Sequence, residues 1–293
     1  MIPKILEKEI MARHTTLRVG GPADFFAEPN TAEELSELVK YAASENMPLT
    51  ILGGGTNLLV ADEGIEGLVI KLGEGFTKIS VSGTTLTAGC GASMAEVADA
   101  AARNNLGGLQ GAGTVPGTLG GAIVMNAGTH EGNIGAAVRS LRAVKTDGTV
   151  VDLTHEECGF TYRNSRFQRE KDFILAEAVL ELEPADGKAV YESLEAVRRH
   201  RRETQPVGFS AGCFFKNREH MSAGRMIDES GCKGMRVGGA YVSDIHANFI
   251  MNDGTAAARD LYELAEKVRE TVKKEKNVDL EYEVRLIGRW TKK

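Results

Sequence analysis

The sequence predicts an α+β protein of two domains, and three observations carry that expectation. The chain has 293 residues, a length at which single hydrophobic cores stop growing, about 250–300 residues. It mixes capped amphipathic helices with short apolar or alternating strands. Its 34 glycines exceed the usual ~7% and cluster in loops of the first part, while the register changes after Pro184.

The elements follow in order. "TAEELSELVKYAASEN" reads as a helix, with Thr31 and Glu34 as a capping box and Leu35, Leu38, Val39 and Ala42 as its apolar stripe. "LTIL" (49–52) reads as a short buried strand, and "EGLVIKL" (66–72) and "TLTAG" (85–89) as further strands. Ser93 and Glu96 open a second capped helix. A glycine-rich stretch runs from Gly107 to Gly135. "LRAVKTDGTVVDL" (141–153) is a hairpin turning at Asp147-Gly148. "FILAEAVLELEP" (173–184) alternates like a half-buried strand. "KAVYESLEAVRRHRRET" is helical, with Val190, Leu194 and Val197 inward, and Pro206 ends it. Residues 207–252 are mixed and punctuated by glycine. "TAAARDLYELAEKVRETVKKEKN" is a long amphipathic helix with Leu261, Leu264, Ala265, Val268 and Val272 at helical spacing. "LEYEVRLIG" (280–288) closes as a strand, with Leu280, Tyr282, Val284 and Leu286 on one face and Glu281, Glu283 and Arg285 on the other.

Composition narrows the function classes. The net charge of −6 argues against a nucleic-acid binder, which needs a basic face. No run of about 18 apolar residues predicts a membrane span, and "MIPKILEKEIMARH" has no signal-peptide core. Cys90, Cys158, Cys213 and Cys232 are far apart and form no CxxC pair. This predicts a reducing cytoplasm without disulfides or a structural metal.

Two glycine loops carry the first chemistry. In "ILGGGTNLLV", Gly53, Gly54 and Gly55 follow a strand directly, and successive unobstructed amides form an anion nest to which Thr56 and Asn57 add donors. A plain tight turn is the alternative, but it explains fewer glycines. "GLQGAGTVPGTLGGAIVMNAG" is no Rossmann fingerprint, because Pro116 stands where the third glycine belongs. It is no Walker A loop either. Pro116-Gly117 fixes a turn, Gly120-Gly121 permits close approach, and Asn126 supplies an amide; a structural crossover remains open.

These loops, with "HTTLRVGGPADFFAEP" (14–29), "FTYRNSRF", "SAGCFFKN", "GCKGMRVGGAYVSDIHANFIMN" and "LEYEVRLIG", resemble the UDP-N-acetylenolpyruvoylglucosamine reductase (MurB) family. That family belongs to the vanillyl-alcohol-oxidase-type flavin superfamily. The motifs run in the family's order over nearly the whole chain. The resemblance implies an FAD-binding domain over 1–185, with the C-terminal strand 279–293 folding back. A smaller α+β substrate-binding domain follows over 200–275, and the active site is expected between them. It implies non-covalent FAD held by Gly53, Gly54, Gly55, Thr56, Asn57, Pro116, Gly117, Thr118, Gly120, Gly121, Asn126, Ala127 and Gly128.

The implied reaction belongs to peptidoglycan precursor synthesis. NADPH reduces the flavin, and hydride from flavin N5 then reduces the enolpyruvyl ether of UDP-N-acetylglucosamine to UDP-N-acetylmuramate. Arg163 matches the family's enolate-stabilising arginine, a role suited to a bidentate guanidinium. Glu283 matches the carboxyl acting with it, and Tyr162, Lys216 and Asn217 match substrate contacts. At Cys213 many relatives have serine as proton donor. A thiol is a far stronger acid than a hydroxyl, yet an ordinary pKa near ~8.5 keeps it protonated at neutral pH.

Read from the residues alone, each has a plainer alternative: a surface ion pair for Arg163, a core aromatic for Tyr162, a solvated strand face for Glu283, an exposed turn for Lys216 and Asn217, an inert buried thiol for Cys213. His246 and Asn248 fall near the cleft by analogy, with structural roles equally open. Two departures stand out. Arg218 replaces the proline that commonly follows "KN", and no tyrosine-bearing loop follows "FTYRNSRF", so the chain resembles the shorter type. The basic run 198–202 is expected to be a solvated helix face. A monomer is expected, with neither nucleic acid nor membrane as partner. Another FAD-dependent oxidoreductase of the superfamily and a non-catalytic nucleotide-binding relative are the competing readings.

Overall fold

The protein is described by a computed structural model over residues 2–129, 131–217 and 221–290. It divides into two compact units. The first comprises the N-terminal residues to Leu6, Phe25–Gly54 and Gly67–Arg199; the second comprises Glu7–Asp24, Gly55–Glu66 and the chain from His200 onward. Each unit thus draws on more than one stretch of the chain. The segment Leu58–Val60 pairs in parallel with the C-terminal strand Arg285–Ile287, which draws an early stretch of chain into the second unit.

The first unit holds a five-stranded antiparallel sheet, ordered Val150–Thr154, Val138–Lys145, Phe173–Glu181, Thr85–Gly89, Ile79–Ser82. Phe173–Glu181 is its centre. Ile174 and Ala176 pack with Leu35, Leu38 and Val39 of the helix Ala32–Ser44. Leu175, Ala178 and Leu180 join the other cluster, with Leu86, Val97 and Leu141. The strand is covered on both faces, not half-buried as expected, which is why it opens with a nearly unbroken apolar run. The hairpin turns as expected at Gly148 (φ +84°), where Asp147 accepts from the amide and hydroxyl of Thr149 at 2.8 and 2.6 Å.

A four-stranded sheet runs in the order Ile5–Ile10, Pro22–Ala27, Ile65–Lys71, Leu49–Leu52. Among the described residues Leu49–Leu52 pairs only with Ile65–Lys71. That edge position leaves Ile51 40% exposed, so "LTIL" is not the buried strand its composition suggests.

The two early helices start with different caps. Thr31 Oγ1 accepts from the Glu34 amide at 3.1 Å, but the Glu34 carboxylate takes the Asn30 amide at 2.6 Å. The expected reciprocal box is thus displaced by one residue. At Met94–Arg103 the box closes: Ser93 Oγ accepts from the Glu96 amide at 3.2 Å and Glu96 accepts from the Ser93 amide at 3.3 Å. Ser93→Ala is expected to cost about 1 kcal/mol, measured as a lowered midpoint of urea unfolding; an unchanged midpoint would contradict the cap's contribution.

In the second unit the helix Ala258–Lys276 covers a four-stranded antiparallel sheet ordered Phe209–Cys213, Phe249–Asn252, Ala240–Val242, Arg236–Val237. Leu261, Leu264, Ala265, Val268 and Val272 are buried, as the helical spacing predicts, in one cluster with Phe214, Phe215, Val242 and Ile250. The helix lacks a capping side chain at Ala257. Asp62 supplies the acceptors instead, taking the Ala258 and Arg259 amides at 2.8 and 2.9 Å, where carboxylate charge also meets the positive helix end.

Only Arg285–Ile287 of the expected strand 280–288 is a regular strand. The stretch divides its backbone bonds between two partners. Lys216 N–H donates to Glu281 O at 2.8 Å and Glu283 N–H to Phe214 O at 2.9 Å, before Arg285 N–H turns to Asn57 O at 3.0 Å. No helix among the described residues is long and apolar enough to cross a membrane. None of the four cysteines is in a disulfide.

Candidate active site

The glycine cradle belongs to the first unit. Gly53, at the end of the strand Leu49–Leu52, lies against Thr118: a Cβ there would stand 2.8 Å from Thr118 Oγ1. The two glycine loops of the sequence therefore meet. Thr118 caps the short helix Leu119–Met125 by accepting from the Gly121 amide at 3.3 Å. Gly120 N–H donates to Cys90 O at 2.9 Å, and a Cβ at Gly120 would lie 3.0 Å from Cys90 Cβ. Cys90 is buried, which pushes its thiol pKa up and keeps it neutral. Gly54, Pro116 and Gly121 are exposed.

Gly53, Gly54 and Gly121 present no side chain, and Gly54 and Gly121 are exposed, an opening that suits a long, diphosphate-bearing ligand such as FAD. A bulkier residue at Gly53 would meet Thr118, and one at Gly121 would stand in the open cradle. Gly121→Leu should leave the helix at least as stable, since leucine exceeds glycine in helix propensity by up to about 1 kcal/mol. It is expected to weaken FAD binding about a hundred-fold, roughly 2.7 kcal/mol, read by flavin fluorescence titration. Wild-type affinity would contradict the cradle.

The end of that loop is fastened to the "FTYRNSRF" segment. Asn126 is left-handed (φ +44°) and buried, its amide donating to Thr161 O at 2.8 Å and its carbonyl accepting from the Gly135 amide at 3.0 Å. Ser165 Oγ and Gln168 Nε2 both donate to Val124 O, at 2.7 and 3.1 Å. Asn126 thus uses its amide on the backbone and shapes the loop rather than pointing it outward. Ala127 and Gly128 are buried, and Gly128 O accepts from Arg163 Nη2 at 2.5 Å. Arg163 sits in the left-handed region (φ +50°) inside the narrow Thr161–Asn164 bridge. Gln168 Nε2 also donates to Arg163 O at 2.9 Å. The Arg163 guanidinium lies 5.3 Å from the ring of Tyr162, which is 75% exposed and so is no core aromatic.

The thiol and carboxyl candidates belong to the second unit. Cys213 ends the strand Phe209–Cys213 after Gly212 (φ +76°), where the register against Phe249–Asn252 is broken. It is half-buried, not sealed in the core. The residues after it are clamped. Asn248, 1% exposed, accepts the Phe215 amide on Oδ1 at 3.0 Å and donates Nδ2–H to Phe215 O at 2.8 Å, while its own carbonyl accepts from Phe214 N–H at 2.8 Å.

Glu283 joins the same segment through its amide and Phe214 O, and its carbonyl accepts from Asn57 Nδ2 at 3.0 Å. Asn57 thus holds the Glu283 backbone. Gly55 is left-handed (φ +64°) and packed on His14 O and Thr15 Cα, so it serves close approach; Thr56 beside it is half-buried. Lys216 and Asn217 are exposed, with Lys216 Nζ 3.9 Å from Glu281 Oε2 and Asn217 Oδ1 accepting from the Ala223 amide at 3.0 Å. Arg218 lies outside the described residues.

The basic run divides. Arg199, His200 and Arg202 are exposed as expected, but Arg198 pairs with Asp99 at 2.8 Å and Arg201 is half-buried. Burial lowers the Arg201 pKa, and its interaction with Cys213 acts the other way. Arg201 therefore leaves the solvated face that charge patterning alone predicts. His246 is held down chiefly by burial and also by Lys233. Its Nδ1 accepts from Asn248 N–H at 3.3 Å, so it supports the Asn248 clamp as a neutral ring. Among the described residues no group of His, Cys, Asp or Glu could hold a metal ion.

Residues 23–154 match an FAD binding domain, and residues 205–287 match the C-terminal domain of UDP-N-acetylenolpyruvoylglucosamine reductase. The chain is similar to UDP-N-acetylenolpyruvoylglucosamine reductase 2 of Symbiobacterium thermophilum, 44% identical over 97% of this chain and 92% of the relative. It is 38% identical to the reductase of Bacillus velezensis, over 98% of this chain and 95% of the relative. The chain belongs to the UDP-N-acetylenolpyruvoylglucosamine reductase family. The crystal structure of the Thermus caldophilus reductase superposes with a TM-score of 0.83 at 36% identity, covering 97% of this chain and 98% of that one. The family fixes the architecture as an FAD-binding domain of the vanillyl-alcohol-oxidase type joined to the reductase C-terminal domain, and the enzyme class as an FAD-dependent oxidoreductase. A fold likeness extends to 6-hydroxy-D-nicotine oxidase of Arthrobacter nicotinovorans, with a TM-score of 0.50 at 15% identity over 63% of this chain and 43% of that one.

Proposed function

We propose that this protein reduces the enolpyruvyl ether of UDP-N-acetylglucosamine to UDP-N-acetylmuramate with electrons from NADPH, in peptidoglycan precursor synthesis, and that Arg163, Cys213 and Glu283 do the acid and electrostatic work. The observation that carries the assignment of roles is the backbone bond from Glu283 N–H to Phe214 O. It brings a carboxyl-bearing residue beside the residue that follows the thiol. FAD, held along Gly53, Gly54, Thr118, Gly120 and Gly121, supplies when bound the hydride that adds to the terminal vinyl carbon.

Adding a hydride there leaves negative charge spread onto the substrate's carboxylate. The Arg163 guanidinium, steered by Gly128 O, offers a fixed fork to that charge. Glu283 in its acid form donates a hydrogen bond to the same developing charge. Cys213 gives its proton to the adjacent carbon, and solvent reprotonates the thiolate afterwards. Tyr162, Lys216 and Asn217 contact the substrate. In this reading the protein works as a cytoplasmic monomer.

The test is product analysis. Incubated with NADPH and the enolpyruvyl sugar nucleotide, the FAD-loaded protein should convert it to a product gaining a hydride and a proton, with one NADPH oxidised per product by stoichiometry. NADPH oxidation that proceeds equally without the sugar nucleotide would contradict the reading.

A further inference from the structure

We propose that Glu266, acting through Tyr282 and held by Arg269, is the positioning residue for Glu283. This rests on the reading of Glu283 given above. Tyr282 directly precedes Glu283, and in an extended stretch neighbouring side chains point to opposite sides. Fixing Tyr282 therefore fixes the side of the stretch from which the Glu283 side chain leaves.

The Tyr282 ring stacks on Phe215 at 5.4 Å and 29°, and meets the Phe214 ring at 6.2 Å and 64°. On another side the Arg269 guanidinium lies over it at 5.2 Å. Its hydroxyl donates to Glu266 Oε1. Arg269 donates Nη1–H to that oxygen at 2.8 Å and Nε–H to Leu280 O at 3.0 Å. Glu266 and Arg269 both stand on the helix Ala258–Lys276, three residues apart, so a rigid element grips the 280–283 stretch at a main-chain carbonyl, a hydroxyl and a ring face.

Packing alone does not require this arrangement. Tyr282 packs against the apolar cluster of Phe214, Phe215 and Val268, where a phenylalanine facing a leucine would bury more apolar surface at no desolvation cost. What the polar trio adds is direction, because a charge-assisted hydrogen bond locks a rotation that apolar packing leaves looser. Burial and the Glu266 contact raise the Tyr282 pKa, so the hydroxyl stays a donor at every working pH. The same turn also reaches the thiol segment, since the ring that Glu266 orients rests on the two residues following Cys213.

The experiment uses FAD-loaded protein carrying Glu266→Leu, Tyr282→Phe or Glu266→Gln, with Glu283→Gln as reference. Loss of positioning should lower kcat about ten-fold in Glu266→Leu and Tyr282→Phe, a modest share of the ~10²-fold that a 1 Å misplacement can cost. KM for the enolpyruvyl substrate, its Kd by calorimetry, the rate of NADPH-driven flavin reduction and the Tm should stay near wild type. Glu266→Gln, which still accepts from Tyr282, should recover kcat to within about three-fold of wild type. Tyr282→Phe decides alone if Glu266→Leu does not fold. Wild-type kcat in both variants would overturn the proposal, as would an equal loss in the NADPH step. If Glu283→Gln slows turnover but the Glu266 and Tyr282 variants do not, only this inference fails. If Glu283→Gln is itself silent, the assignment of Glu283 fails with it.

Discussion

Cys213→Ala is expected to lower kcat by about 10²–10⁴-fold, the usual contribution of a positioned general acid. NADPH-driven flavin reduction should proceed at the wild-type rate, because that step needs no proton from this side chain. The loss appears when the enolpyruvyl substrate is mixed with the pre-reduced enzyme. Cys213→Ser should retain activity at roughly a tenth of wild type, since a hydroxyl is a much weaker acid than a thiol. Local geometry makes the comparison clean. Cys213 is half-buried at a strand end, and the Asn248 clamp acts on Phe214 and Phe215 rather than on the sulfur. Neither substitution removes a core contact of the size that would unfold the protein. Turnover near wild type in Cys213→Ala would require another proton source.

Arg163→Met is expected to reduce kcat by about 10²–10³-fold, the range seen when one donor to a developing anion is removed. Arg163→Lys should restore little of it. One guanidinium nitrogen grips Gly128 O at 2.5 Å, and in the proposed role the other N–H groups meet the substrate's carboxylate. A lysine ammonium has no planar fork with which to do both. The residue also holds a left-handed conformation in the Thr161–Asn164 bridge. Bonds from Asn126, Ser165 and Gln168 hold that bridge to the glycine loop. Those bonds survive in the lysine variant, so flavin absorption and Tm should be unchanged while kcat falls. Steady-state kinetics with a parallel absorption spectrum checks this. A lysine variant within about three-fold of wild type would mean that charge suffices and the fork is idle.

Much of this architecture was legible in the sequence. Leu35, Leu38, Val39 and Ala42 are buried as their spacing demands, and the stripe of the helix Ala258–Lys276 is buried in full. The box at Ser93 closes as written. What local pattern could not carry was long-range partnership. Asp62 caps a helix nearly 200 positions away, and Asn57 spends its amide on Glu283 O, 226 positions away. No periodicity records such bonds. "LTIL" reads as buried because composition reports hydrophobicity and not edge position. "LEYEVRLIG" reads as one strand because alternation does not show that its backbone serves two partners in turn.

The candidate site was legible only through its motifs. Arg201 sits in a run of charge that patterning assigns to solvent, yet it is half-buried and interacts electrostatically with Cys213. Ser165 and Gln168 carry no signal of their own, although they fasten the Arg163 loop. Alternation placed Tyr282 on the face opposite Glu283, but it did not show the hydroxyl's partner on a separate helix.

The account stands on a flavin that hands its electrons to the enolpyruvyl carbon and to no other acceptor. The measurement that tests this most directly is an anaerobic stopped-flow experiment, in which enzyme reduced with a stoichiometric amount of NADPH is mixed with the enolpyruvyl sugar nucleotide. The account predicts that the oxidised flavin band returns within the turnover time, without oxygen, and in proportion to the product formed. A flavin that stays reduced until air is admitted would contradict it.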